Sequence, residues 1–246
     1  MNGKGKRSMK KVFIWEDIEE WIDIFKKVKS IEDYYTHIRL YHACKPSDIE
    51  SYYTKGIQPL HIEYIKNIAY NIFHSDSFPE IKDIDIDGAI QKIQSVTHEG
   101  IIYFALDKRD LVQYCGHYLI YGSEFILGIA NELRRKYGKD YSKLLKDTGI
   151  PTVLICDIPI DTLSKVYIND LNKKINNNKN KSGDSKYHDA PVIDFSIPIG
   201  QGINPNCIVS HYHPSTIPDP IDYNKIYKTD VNKCSRCSKE VSHEKD

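Results

Sequence analysis

The tightest constraint on the fold is the segment IRLYHACKPSDIESYYTKGI, residues 38–57, which passes from strand to helix and back to an extended path. The run 37–43 is short, apolar and aromatic, as strands are. Pro46-Ser47-Asp48 interrupts it, with Ser47 a candidate N-cap for a helix over 49–55. Gly56 then ends that helix, because glycine takes a positive φ without strain. A second run, GIIYFA at 100–105, has the pattern of a buried strand. Further strand candidates lie at 152–158 and 192–199, with another starting at 208, and helical spacing recurs at 61–73, 87–96 and 123–136. Short strands interleaved with helices predict an α+β domain rather than a doubly wound sheet.

Near the N-terminus, Ile14, Trp15, Ile18, Trp21, Ile22, Phe25 and Val28 recur three and four apart, predicting an amphipathic helix over 15–29 packed on the core. The stretch 173–186 is rich in Asn and Lys with too few apolar side chains to offset ordering, and reads as a flexible surface loop. The expected division is an N-terminal helix to residue 30, a main domain over 31–225 and a Cys-containing tail over 226–246.

Charge excludes one class of function. Thirty-four basic residues balance 34 acidic ones, so binding to nucleic acid or anionic lipid by bulk charge is not expected. No run approaches the roughly 20 apolar residues that cross a bilayer, so no membrane partner is expected. The basic N-terminus leads into an acidic amphipathic segment rather than the apolar core of a secretory signal. Of the six cysteines, Cys44, Cys115, Cys156 and Cys207 stand singly in apolar or aromatic surroundings, as reduced buried thiols do. A cytoplasmic location is the expectation.

Two segments carry chemistry. In the first, His42 ends the strand and Gly56-Ile57 follow the helix; in the second, GIIYFALDKRDLVQYC at 100–115, Tyr103 lies in a Tyr-Phe-Ala run and Tyr114 precedes Cys115. Together they resemble the diphtheria-toxin-like, poly(ADP-ribose)-polymerase-type ADP-ribosyltransferases. That resemblance implies split antiparallel β-sheets with flanking helices, and NAD as co-substrate. It assigns His42 to a ribose, the backbone of Ala43 to the nicotinamide amide, and Tyr103 and Tyr114 to either face of the ring. Ser123 is a further candidate pocket contact. Cleavage of the nicotinamide–ribose bond passes through an oxocarbenium-like state, which explains the need for a held ring and nearby negative charge.

The family opens a late strand with a glutamate. In DFSIPIGQGINPNCIVSHYH the resemblance puts Asp194 at that position; an aspartate is one methylene shorter, and a displacement of about 1 Å can cost about 10²-fold in rate. Glu124 is the rival acid, with a helix-start role as its alternative. The implied activity is transfer of a single ADP-ribose to a macromolecular acceptor, protein or nucleic acid. The Lys- and Asn-rich composition suggests an AT-rich bacterial or phage genome, where such transferases serve as toxins or defence factors. A silent ADP-ribose- or NAD-binding module is the alternative. A tRNA 2'-phosphotransferase-like enzyme fits poorly, since Arg39 and Arg109 are the only arginines near the two motifs. The loops at 74–86 and 173–190 are the expected acceptor contacts.

The tail adds Cys234-x-x-Cys237 and His243, three ligands of a candidate structural zinc site, with His188, His211 or His213 available as the fourth. An exposed tail with free thiols and a redox pair are the other readings. No Walker loop, G-x-G-x-x-G fingerprint, G-x-S-x-G elbow or H-E-x-x-H motif is present.

Overall fold

The fold comes from a computed structural model, which describes residues 10–74, 78–94, 100–181, 190–222 and 225–238. The chain is α+β. Its centre is β2 (His37–Cys44), which pairs antiparallel with β4 (Thr152–Pro159) along all 8 of its residues. On the other flank β2 meets β3 (Ile102–Ala105) antiparallel at the single pair Tyr41↔Ala105, and the short β1 (Val12–Phe13) parallel at its start. β5 (Ser196–Ile199) and β6 (Ile208–Tyr212) close the edges, giving the order β5-β3-β2-β4-β6. A separate pair, β7 (Thr216–Pro218) and β8 (Ile226–Lys228), forms a small second sheet.

Strand alternation sends successive residues to opposite faces. One face buries Ile38, Leu40, Phe104, Leu154 and Ile197 against Trp15, Trp21 and Phe25, the last two from α1 (Ile18–Phe25). The other buries Tyr41, Ala105 and Val153 under α3 (Ile62–Phe73), α4 (Asp83–Gln94) and α7 (Glu124–Tyr137). Both ends of the described residues enter this architecture. Trp15 and Trp21 stack at 5.4 Å, and their indole N–H groups donate to Pro191 O and Trp15 O, both at 2.9 Å. At the other end Cys234 is buried in the first core and β8 is paired with β7.

Several local expectations change. The N-terminal helix is shorter than 15–29, because Trp15 is drawn down onto the core before Ile18 begins the turn. α2 (Glu50–Lys55) starts with an Asp48 carboxylate accepting from Glu50 N at 3.0 Å, so Asp48 does the work expected of Ser47. The strand expected over 192–199 forms only from Ser196, and α4 begins at Asp83, inside the loop expected over 74–86. The largest correction is at 173–186: through Lys181 it is helix, the second half of α9 (Lys165–Lys181), and 182–189 lie outside the described residues. Ile168, Leu171 and Ile175 are buried at three- and four-residue spacing, so one apolar stripe docks a helix whose other faces are Asn and Lys.

Candidate functional site

β2 and β3 part company after Tyr41↔Ala105, and the candidate site lies at that opening. Across it, His42 Nδ1 lies 2.9 Å from Tyr103 O. A carbonyl only accepts, so Nδ1 carries the proton and Nε2 is left as an acceptor. Burial lowers the His42 pKa below its ordinary value, against the opposing pull of that carbonyl, which keeps the ring neutral. Among the described residues nothing bonds Nε2. The ring itself packs on Phe104, centroids 5.4 Å apart.

Tyr103 points to the opposite face of β3 from Phe104, opposite Pro198 of β5, and is 44% exposed. α5 (Lys108–Tyr114) turns back beside it; Asp107 caps this helix by accepting from Arg109 N at 2.9 Å, and Arg109 closes a salt bridge to the same buried carboxylate at 2.7 Å. That helix ends on Tyr114, 62% exposed. Two large aromatic rings, one on β3 and one at the end of α5, are thus left to solvent, and Ala43 lies on the Tyr103 face of β2. Arg39 belongs elsewhere: its guanidinium pairs with Asp157 on β4 at 2.8 Å, a carboxylate that Lys10 also reaches at 2.9 Å.

The acids gather on the α5 side. The Cys115 pKa is raised by burial and then by the carboxylates of Asp110, Asp194 and Glu124, which favours the protonated thiol. Asp110 is itself raised, by burial first and then by Asp194 and Asp107. Asp194 is exposed, two residues before β5, and among the described residues no hydrogen bond joins its carboxylate to His42 or Tyr103. Glu124 opens α7 and lies 3.3 Å from His117 Nε2. Ser123 is engaged as the N-cap of α7, accepting from Ile126 N at 3.2 Å.

A second constellation was only partly legible in the sequence. His211, His213, Cys234 and Cys237 put four ligand atoms within 4.8 Å of one another. Cys234 and Cys237 are the expected pair; His243 lies outside the described residues, and two histidines from β6 and its end complete the cluster. The His-x-His spacing was the available signal, since residues two apart on a strand share a face.

No protein-family model, curated protein or solved structure matches this chain.

Proposed function

We propose that the protein is an NAD-dependent mono-ADP-ribosyltransferase. The observation that carries this is the open seam between β2 and β3, where a neutral His42 reaches the Tyr103 backbone carbonyl, while the Tyr103 ring on the other face of β3 and the Tyr114 ring at the end of α5 are left exposed. The His42 Nε2 lone pair suits a ribose hydroxyl, which donates. The two tyrosine rings suit a flat nicotinamide, and the Ala43 backbone suits its amide. In the reaction the bond between ribose C1' and nicotinamide N1 breaks with its electron pair leaving on nicotinamide. An acceptor nucleophile then forms a bond to C1' and gives up its proton. Asp194 or Glu124 would offset the developing positive charge. The acceptor is a macromolecule, protein or nucleic acid, and a toxin or defence role in the cytoplasm belongs to this proposal.

One observation favours the silent-module reading: Asp194 lies with Asp110 and is not bonded to His42. Mass-resolved NAD consumption, with and without cell lysate and beside His42→Ala and Tyr103→Ala, separates the two. Nicotinamide release by the wild type, lost in both variants, supports the transferase. NAD that binds intact moves the module ahead. NAD that neither binds nor reacts overturns both.

A further inference from the structure

We propose that His211, His213, Cys234 and Cys237 bind one zinc ion that fastens the C-terminal tail to the central sheet. This does not rest on the NAD reading. Zinc takes thiolate sulfur at about 2.3 Å and imidazole nitrogen at about 2.0–2.1 Å, so a tetrahedral site needs N···S separations of about 3.5 Å. His211 Nε2 lies 3.6 Å from Cys234 Sγ and 3.5 Å from Cys237 Sγ.

The fourth ligand supplies an independent observation. His213 Nε2 is buried and has no hydrogen-bond partner, an arrangement that is unfavourable unless something binds it. Its other nitrogen lies 2.9 Å from Pro151 O, which requires the proton on Nδ1 and leaves the Nε2 lone pair for a metal. His211 is oriented in the same way, with Nδ1 2.7 Å from the Tyr53 hydroxyl. Each histidine therefore offers Nε2 to the cluster while a second partner holds its ring.

The chemistry balances. The ion displaces the two thiol protons to solvent, and two thiolates cancel its charge, so a neutral unit occupies a partly buried place. Two nitrogens and two sulfurs suit zinc rather than magnesium or calcium. With all four positions filled by protein the site is closed, so its role is structural rather than catalytic.

Its location says what it holds. Leu154 pairs with His42 on one side and His211 on the other, so the three share one face of the sheet. Tyr53 belongs to α2, the helix that follows directly from the His42 strand. Arg236, between the two cysteines, lies over the Tyr53 ring at 3.6 Å and pairs with Glu50 at 2.8 Å. The metal thereby joins β6, the tail and α2 into one unit behind His42.

The test is metal content and cobalt spectroscopy on the full chain. Elemental analysis after passage over a chelating resin should find about one zinc per chain. Replacement by Co2+ should give the visible bands of a tetrahedral site and a thiolate-to-cobalt charge-transfer band. His213→Ala and Cys237→Ser should lose both signals, while Cys207→Ser keeps them. A strong chelator should lower the Tm of the wild type by several degrees and leave that of His213→Ala unmoved. Wild-type protein that is folded by circular dichroism yet holds neither zinc nor tetrahedral cobalt overturns the proposal. So does mass spectrometry showing Cys234 and Cys237 joined as a disulfide in protein purified without reductant.

Discussion

At the scale of single residues the candidate site makes demands that conservative substitutions can separate. If Tyr103 and Tyr114 act as flat surfaces, Tyr→Phe at either position keeps most nicotinamide release, whereas Tyr→Ala costs about 10²-fold or more, read as initial rates. His42 must be neutral to accept through Nε2, and burial places its pKa below the ordinary value of about 6.5. NAD affinity should therefore hold on acidification to that pH and fall only below it, as calorimetry from pH 8 to pH 5 would reveal; a decline centred above it would remove His42 from the role. Gly56 shows how strict one residue can be. Its φ is +75°, and a Cβ there would lie 1.9 Å from the Ile203 carbonyl, which bonds Ile57 N at 3.1 Å. Gly56→Ala should cost several kcal/mol in chemical denaturation, beyond the roughly 1 kcal/mol that glycine's backbone freedom alone explains.

At the scale of elements, α9 and the α4–α7 pair are the most informative. Asn and Lys over 173–181 have poor claims to helix on their own, and the helix survives because Leu171 and Ile175 are buried. Ile175→Ala should lower stability by about 2–5 kcal/mol, and Asn176→Ala, on the exposed side, by under about 0.5. Composition alone had read this stretch as loop, because a sparse apolar stripe is visible only to a search for period 3.6. In α4, hydrogen bonds from Lys136 and then Tyr137 of α7 hold the Asp85 carboxyl down at about 2. A depressed carboxyl contributes stability above its unfolded value near 3.9, lost as pH falls toward 2. The wild type should therefore lose more stability than Asp85→Asn between about pH 4 and pH 2, measured by denaturant midpoints.

At the scale of the whole molecule, one sheet serves two cores, one on each face. β2 and β4 place residues in both, Leu40 and Leu154 on one side and Tyr41 and Val153 on the other. Neither core can open without exposing the other through the shared strands. A single calorimetric transition is expected, with van't Hoff and calorimetric enthalpies in agreement. The sequence by itself determined the local grammar: strand, turn, helix and glycine over 38–57, the Tyr103 and Tyr114 motif, and the amphipathic helices, because those patterns depend on periodicity and turn chemistry within a few residues. It also marked Cys234 and Cys237 as candidate metal ligands. Only the tertiary structure decided which partners meet across long separations. It brought His42 to the Tyr103 carbonyl 61 residues away, set His211 and His213 against two cysteines more than twenty residues on, and moved Asp194 toward Asp110. Those outcomes depend on strand register and on how far β2 and β3 stay paired, which local sequence does not encode.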